Sequence, residues 1–188
     1  QFFIERAGRY GIDPSKIFIL GSSAGAEAVL HAAYWKASYK DENGPILAPD
    51  FQYAGVVSMA GAITNLDWIT RETAIPTFLF HGTCDNLVPY GSAPHHYCAA
   101  EDPGYLVLHG AYSIAEKLRA LGKPYLLVTG CNGRHEWNDK PLREMEPTIA
   151  HYIDRSLKGE AHFQVHEIYG SEQAPCPGYD AFNFCTDP

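Results

Sequence analysis

The sequence predicts an α/β fold built on a mostly parallel sheet. Four short apolar runs bounded by Gly, Pro or polar residues predict strands, and helical patterns lie between them. The predicted strands are 16–20, 53–60, 75–80 and 124–129, and the predicted helices are 2–10, 24–39, 65–71, 111–121 and 142–157. Because strands that alternate with helices pack as parallel units, this order favours a parallel sheet. The chain has 188 residues, 46% of them hydrophobic, which is enough to bury one core.

The first predicted strand leads directly into Gly21-Ser22-Ser23-Ala24-Gly25, and a predicted helix follows. A turn of the Gly-x-Ser-x-Gly type between a strand and a helix holds its central serine in a strained conformation, with the hydroxyl above the sheet edge. The helix N-terminus directs its free amides towards the position where an oxyanion would form. We therefore predict that Ser23 is a nucleophile and that the backbone N–H of Ala24 is one oxyanion donor. A Gly-Ser loop without a catalytic role is the alternative.

Two further polar residues follow predicted strands, in the order that such a nucleophile requires. Asp85 lies just beyond the third predicted strand, and His135 lies in the Gly-bearing loop after the fourth. The partners of an elbow serine follow as Asp or Glu and then His, and the carboxyl ends of parallel strands share one edge. In this interpretation Ser23 attacks an acyl carbonyl, His135 moves the proton, and Asp85 orients the imidazole. A turn-capping Asp85 and a structural His135 are the alternatives.

These motifs resemble the esterase and lipase branch of the α/β-hydrolase superfamily. The resemblance rests on Gly-Ser-Ser-Ala-Gly-Ala at 21–26, His-Gly-Thr-x-Asp-x-x-Val-Pro at 81–89, and Gly-x-His-Glu-Trp around residue 135. It covers about residues 1–158 and implies a mostly parallel sheet with helices on both faces. It also implies hydrolysis of carboxylic esters without a cofactor. We expect residues 159–188 to form a Cys- and Pro-bearing tail extension.

The chain departs from this resemblance before the elbow. Members of the superfamily have several strands and an oxyanion loop, often His-Gly-Gly, ahead of the elbow, whereas the His-Gly pairs here, at 81–82 and 109–110, follow Ser23. The second oxyanion donor therefore has no candidate. An elbow strand without its neighbours would also leave an open sheet edge. We therefore expect these residues to form the C-terminal part of a larger unit, whose N-terminal strands are missing and come from an upstream segment or a companion chain.

The segment 91–108 is expected to form part of the substrate pocket, because loops at the carboxyl edge of such sheets shape specificity. The predicted substrate contacts are Ser22, Tyr90, His96 and Tyr97. A loop that only covers a helix is the alternative. His95 and His96 have no third ligand at a suitable spacing, so we predict no metal site.

Three functions remain open from the sequence. The first is a serine esterase that acts on small or carbohydrate-linked acyl groups. The second is a serine peptidase of the same fold, which would cleave amides with the same three residues. The third is a catalytically silent binding protein that retains the fold.

Charge excludes some classes of partner. The chain has 14 Lys and Arg against 22 Asp and Glu, a net charge of −8. An acidic surface argues against nucleic acid and anionic membranes as partners. No apolar run approaches the length of a transmembrane helix.

Five cysteines bear on the cellular compartment. Cys176 and Cys185 lie close together in the tail, so a small disulfide-closed loop there is plausible, and Cys84 could pair with Cys98, which would leave Cys131 free; the sequence does not decide the pairing. Disulfides would indicate a secreted or periplasmic protein. The alternative is a cytoplasmic protein with five reduced thiols.

Overall fold

The structure, a computed structural model, describes residues 2–35, 51–170, 174, 176 and 182–185. Its helices are α1 (Phe2–Glu5), α2 (Ala7–Tyr10), α3 (Ala24–Tyr34), α4 (Ala111–Ala120), α5 (Lys140–Glu144) and α6 (Glu146–Leu157). Its strands are β1 (Phe18–Ser22), β2 (Gly55–Met59), β3 (Ala62–Ile63), β4 (Thr77–Gly82), β5 (Ser92–Pro94), β6 (Val107–Gly110), β7 (Tyr125–Gly130) and β8 (Gln164–Tyr169). Single 3₁₀ turns lie at Pro14–Lys16, Leu66–Trp68, His95–Tyr97, His135–Asn138 and Asn183–Cys185.

Five strands form a parallel sheet in the order β1-β2-β4-β7-β8. The predicted parallel sheet is therefore confirmed, and its first four strands in chain order overlap the four predicted ones. Because all five strands run in the same direction, the carboxyl ends of β1, β4 and β7 lie along one edge of the sheet. The residues that follow these three strands are consequently neighbours in space.

The three central strands of the sheet, β2, β4 and β7, are buried on both faces. Successive residues of a strand point to opposite sides. Thus Val56 of β2 packs in a cluster with Leu30 of α3 and Ile114 of α4, whereas Val57 packs in a second cluster with Ile149 of α6. Each such side chain contributes about 1.5–3 kcal/mol when it is fully buried. This burial on both sides explains why the parallel strands are continuous apolar runs in the sequence.

A small antiparallel sheet, in the order β3-β6-β5, lies outside the main one. The predicted insertion 91–108 therefore contains a short hairpin rather than loop alone. Its strands are too short to give a periodic pattern in the sequence. The hairpin returns at Gly110, where α4 begins.

Strand β8 was not predicted. It pairs in parallel with β7, from Gln164 opposite Tyr125 to Tyr169 opposite Gly130, and so it extends the main sheet into the predicted tail. Its residues, Gln-Val-His-Glu-Ile-Tyr, do not alternate strictly between polar and apolar, so the strand pattern of this segment is weak. The division of the chain into a hydrolase part that ends at 158 and a tail extension stays a prediction.

Three predicted helices are shorter or broken. The closing helix predicted at 142–157 is interrupted at Met145 because Pro147, in the first turn of α6, cannot continue a preceding helix. The helix predicted at 2–10 is two single turns, and the one at 65–71 is a 3₁₀ turn. The predicted elbow helix begins at Ala24, as expected, but it ends at Tyr34 because the backbone of Trp35 is extended. Residues 36–39 of that prediction lie outside the described residues.

Candidate active site

Ser23 occupies the turn between β1 and α3. Its φ of 53° and ψ of −124° lie in a region that residues with a side chain rarely adopt. The Ser23 N–H donates to the carbonyl oxygen of Met59 at 2.9 Å, which fixes the turn to the end of β2. These features are those of a strand–turn–helix elbow, with the serine at the N-terminus of a helix.

The imidazole of His135 lies between Ser23 and Asp85. Its Nε2 is 2.9 Å from the Oγ of Ser23, and its Nδ1 is 2.8 Å from the Oδ2 of Asp85. Because a carboxylate only accepts hydrogen bonds, Nδ1 carries a proton and Nε2 is free to accept the Ser23 hydroxyl proton. The structure thus brings together the three side chains that the sequence predicted, with the tautomer that a general base needs.

The carboxylate of Asp85 is completely buried just beyond β4. Its Oδ1 accepts the backbone N–H groups of Leu87 at 2.9 Å and Val88 at 3.0 Å. Its Oδ2 faces His135 at 2.8 Å and the Nε2 of a second histidine, His81, at 3.2 Å. Both oxygens therefore face donors, as a buried charge requires.

These donors determine the charge state of Asp85. Burial by itself would raise the pKa of the carboxyl group. The imidazole N–H groups of His81 and His135 and the amide of Leu87 stabilise the ionised form more strongly, so the pKa falls from 3.8 to about 2. Asp85 is therefore ionised at neutral pH and can hold the His135 ring in one orientation.

The loops that carry Asp85 and His135 are bonded to each other. The N–H of Thr83 donates to Gly130 O at 2.9 Å, and the N–H of Cys84 donates to Gly133 O at 2.8 Å. In return, the N–H of Asn132 donates to the Thr83 hydroxyl at 2.9 Å. The distance between the acid and the base is thus set by backbone contacts as well as by their own hydrogen bond.

Two disulfides join these loops to the C-terminal tail, and they differ from the expected pairs. Cys84 is bonded to Cys176 and Cys131 to Cys185, while Cys98 is free. The pairs that the sequence made plausible, Cys176 with Cys185 and Cys84 with Cys98, do not form, and Cys131 is not free. The Cα atoms of the bonded pairs are 5.8 and 5.5 Å apart because each tail cysteine lies over a different loop.

Tyr90, a predicted substrate contact, belongs to the core. Its ring is 1% exposed, and its hydroxyl lies 2.6 Å from the hydroxyl of Thr129. Tyr112 and Phe182 pack against the ring. The prediction for Tyr90 is therefore wrong, because the tail and α4 cover a side chain that the sequence suggested was open to substrate. Burial raises the pKa of Tyr90 above its usual range.

The other predicted contacts lie nearer the surface. Ser22 is half-buried at the end of β1, and His96 and Tyr97 are exposed on the hairpin loop. The N–H of His96 donates to Leu87 O at 2.9 Å, which connects that loop to the Asp85 loop. Substrate contacts by Ser22, His96 and Tyr97 stay predictions.

Ala24 is exposed as the first residue of α3. The first α3 amide with an acceptor is that of Ala26, which donates to Ser23 O at 2.8 Å. Within the part of the chain that the structure describes, the N–H groups of Ala24 and Gly25 make no backbone hydrogen bond. Both amides are therefore free to face an anion at the helix N-terminus.

Two contacts near the site were missed by the sequence analysis. His81 appeared there only as part of the His-Gly-Thr-x-Asp motif, and the spacing of four residues to Asp85 was the available signal. The second contact joins the hairpin to the elbow helix, where the Nε2 of His95 lies 3.5 Å from the Oε1 of Glu27, one turn after Ser23. It positions the hairpin loop beside the nucleophile.

Two cavities of the structure lie away from Ser23. One cavity of about 510 Å³ lies near Pro14, Tyr53 and Pro76, and another of about 540 Å³ lies near Trp137 and Tyr169. Neither is lined by Ser23, Asp85 or His135, and Ser23 itself is partly exposed.

The described residues contain neither a metal-ligand cluster nor a membrane-spanning helix. Among these residues, no three or more His, Cys, Asp and Glu side chains are grouped as metal ligands would be. Across the same described ranges, no helix has the length and apolar character needed to cross a membrane.

Comparison with known proteins gives a family for this chain. No curated protein and no solved structure matches it. The sequence profile described as Phospholipase/Carboxylesterase matches residues 1–99, a range that includes Ser23 and Asp85 and ends before His135. The match covers more than half of the chain and agrees with the parallel sheet and the elbow. The chain therefore belongs to the phospholipase/carboxylesterase family of α/β-hydrolases.

Proposed function

We propose that this hydrolase cleaves carboxylic esters through Ser23, His135 and Asp85, with an acyl-enzyme intermediate. The observation that carries the proposal is the continuous contact from the Ser23 Oγ to His135 Nε2 at 2.9 Å and from His135 Nδ1 to Asp85 at 2.8 Å. Spacings of this kind allow a proton to pass from the hydroxyl to the imidazole as the oxygen attacks a carbonyl carbon.

The chemistry follows from these contacts. Ser23 Oγ bonds to the ester carbonyl carbon while His135 Nε2 takes the hydroxyl proton, which gives a tetrahedral intermediate with a negative oxygen. His135 then returns the proton to the alcohol oxygen as the carbon–oxygen bond breaks. Water repeats the sequence on the acyl-enzyme and releases the acid. The ionised Asp85 stabilises the imidazolium that forms in each half of the cycle.

Ala24 is the proposed oxyanion donor. Ala24 is an exposed residue at the N-terminus of α3, where the helix dipole favours a negative charge. The free amide of Gly25 lies one residue further along the same turn. Loss of one such donor costs about 10²–10³-fold in rate in a well-studied serine protease.

We propose small acyl groups, including those linked to carbohydrate, as the substrates. Ser23 is partly exposed, the residues Ala24 and Gly25 that follow it are exposed, and neither of the two cavities described above adjoins the serine. An open site of this kind suits an ester whose acyl part is short and whose alcohol part is large. A peptidase that uses the same three residues is distinguished by its rate on a peptide anilide relative to p-nitrophenyl acetate.

Substitution of Ser23 tests the mechanism. We expect Ser23→Ala to lower kcat/KM for p-nitrophenyl acetate by about 10⁴–10⁶-fold and to abolish labelling by a fluorophosphonate, because no other hydroxyl touches His135 in the described structure. Ser15→Ala, in the 3₁₀ turn before β1, is the control and should retain both activities. Unchanged turnover in Ser23→Ala would reject the mechanism, and a wild-type protein that is not labelled would favour the silent binding protein.

We also propose that the protein is exported to the periplasm or the exterior. The support is the pair of disulfides between the tail and the two loops, since such bonds persist in oxidising compartments. Thiols counted in protein purified under conditions that block exchange, and then denatured, should number one, at Cys98. Five free thiols would support the cytoplasmic alternative.

A further proposal concerns the outer edge of β1. Within the described residues β1 pairs with β2 alone, and Leu20 is 44% exposed. Phe2 and Phe3 on α1 are also more than half exposed. Unpaired edges with apolar side chains favour strand addition, so we propose that an upstream segment or a companion chain supplies the next strand. The proposal would be contradicted if this chain alone were monomeric and monodisperse in solution and the backbone amides on the outer edge of β1 were nevertheless protected from hydrogen exchange.

A further inference from the structure

His81 faces the same carboxylate oxygen as His135. It lies in β4, one residue before the strand ends, and its side chain is completely buried. Its Nε2 is 3.2 Å from Asp85 Oδ2, on which His135 Nδ1 also converges at 2.8 Å. One carboxylate oxygen therefore contacts two imidazole rings, of which the proposed mechanism uses only one.

The neighbours of His81 determine which ring nitrogen carries a proton. Its Nε2 is also 3.1 Å from the carbonyl oxygen of Val88. Both neighbours, a carbonyl oxygen and a carboxylate oxygen, only accept hydrogen bonds, so Nε2 carries a proton whatever the charge of the ring. The Nε2–H group makes its hydrogen bond to Val88 O, and its hydrogen, which carries a partial positive charge, also lies close to Asp85 Oδ2.

Val88 completes a closed set of contacts. Its N–H donates to Asp85 Oδ1 at 3.0 Å while its carbonyl oxygen accepts from His81. His81 thus holds both the carboxylate and the turn that surrounds it against the rigid strand β4. The other ring nitrogen, Nδ1, is buried and has no hydrogen-bond partner among the described residues. An apolar side chain of similar size would avoid the cost of that buried nitrogen, whereas only a donor can serve both acceptors.

We propose that His81 is a positioning residue that shares the Asp85 carboxylate with His135 and thereby limits the basicity of the His135 imidazole. The proposal rests on the proposed function of Ser23, His135 and Asp85. A second N–H beside Oδ2 disperses the negative charge that stabilises the His135 imidazolium.

Other titratable groups surround this pair without contacting the carboxylate in the described structure. The Tyr90 ring meets the His81 ring edge-on, with centroids 5.7 Å apart, and burial raises the pKa of that tyrosine. Beyond Tyr90, Thr129 connects to His166, whose pKa burial lowers. On the side of the elbow, Glu27 lies near His95. The exposed His96 is bonded through its N–H to Leu87 O, and Glu136 follows His135 in the sequence.

The sign of the effect separates positioning from a merely structural role. Removal of the His81 donor leaves Asp85 a stronger partner for the imidazolium, so the pKa of His135 should rise. Mere loosening of the Asp85 loop would weaken that partnership, and the pKa of His135 should then fall.

The experiment is a titration of His135 by NMR in protein with labelled histidine, using His135→Gln for assignment. We expect His81→Met, which has no donor, to raise the pKa of His135 by about 0.5–1 pH unit, which converts to the net contribution of one ordinary hydrogen bond. The acid limb of the kcat/KM profile for p-nitrophenyl acetate should move by the same amount. His81→Gln, which keeps an N–H, should return most of the shift, and the control His166→Gln should leave the pKa of His135 unchanged.

An unchanged or lowered pKa of His135 in folded His81→Met would overturn the proposal, as would a His81→Gln protein that behaves like His81→Met. The ¹⁵N shifts of the wild-type protein give a test that needs no variant. A protonated Nε2 on His81 is expected, and a His81 protonated only at Nδ1 would also overturn the proposal. Because the titration needs no turnover, a wild-type protein that fails to hydrolyse esters would reject the proposed function separately.

Discussion

Ser23 lies in a turn made by one continuous stretch of chain, from β1 to α3, whereas Asp85 and His135 lie on two loops that are 50 residues apart in sequence. The elbow is fixed by its neighbours in the chain and by one bond to Met59 O. The acid and base loops are fixed by bonds to each other and by two disulfides to a tail that follows the last helix. One part of the site is therefore local in origin, and the other is assembled from distant parts of the chain.

This difference has a consequence for stability. A local turn keeps its geometry as long as its strand and helix form. Loops joined by distant crosslinks can separate when the crosslinks are lost, even if the sheet persists. The nucleophile and its base should therefore respond differently to perturbations of the tail.

Removal of the disulfides should have the largest effect. We expect the double variants Cys84→Ser with Cys176→Ser, and Cys131→Ser with Cys185→Ser, each to lower the free energy of unfolding by about 2–5 kcal/mol, because the closed loops span 92 and 54 residues. Hydrogen exchange should show early loss of protection in loops 83–88 and 131–138, with α3 protected longer.

The free cysteine provides the matched control for this experiment. Cys98→Ser changes a thiol without removing a disulfide, and we expect its unfolding free energy to stay within about 0.5 kcal/mol of the wild type. If the double variants lose protection in α3 and in the two loops together, the comparison between a local and an assembled half of the site fails.

A smaller but more localised effect is expected at the elbow itself. A Cβ atom at Gly21 would lie 2.1 Å from the carbonyl oxygen of Gly25, whereas a Cβ atom at Gly25 would meet no described atom within 4 Å. We expect Gly21→Ala to destabilise the protein by about 3 kcal/mol because it forces α3 away from β1. Gly25→Ala should be neutral or stabilise by up to about 1 kcal/mol, since alanine favours the helix.

Chemical denaturation of the two alanine variants distinguishes the two glycines of the motif. The Gly-x-Ser-x-Gly motif does not tell which of the two glycines is needed. Of the two, only Gly21 lacks room for a side chain in the described structure. Equal destabilisation by the two substitutions would mean that an atom outside the described residues fills the space beside Gly25.

The local half of the site was predictable for a physical reason. The strand, the turn and the helix around Ser23 follow one another in the sequence, so the sequence patterns of the strand and the helix locate the turn between them. Asp85 and His135 could be predicted because parallel strands place their following residues on one edge. The parallel sheet itself followed from the alternation of apolar runs and helical patterns.

The long-range features could not be predicted in the same way. Cysteines close in sequence suggested local pairs, but the pairing depends on how the tail crosses the two loops, which no local pattern records. The sequence suggested that Tyr90 is a surface aromatic residue, but in the structure Phe182 of the tail and Tyr112 of α4 pack against its ring. The contact of His81 with Asp85 likewise depends on how the turn after β4 folds back onto the strand.

The smallest effect is expected at the outer edge of the elbow strand, where Leu20 is 44% exposed. Leu20→Lys should change the unfolding free energy of this chain by no more than about 0.5 kcal/mol, because the site is exposed and the lysine stem keeps part of the contact. Charge on an open edge opposes strand addition. The variant should therefore self-associate less than the wild type in sedimentation measurements over a range of concentrations, and it should bind a companion strand more weakly. Arg9→Lys, a neutral change on α2, is the control. If Leu20→Lys costs several kcal/mol in a monomeric sample, β1 is covered from within the chain, and the local half of the site depends on distant contacts as much as the other half does.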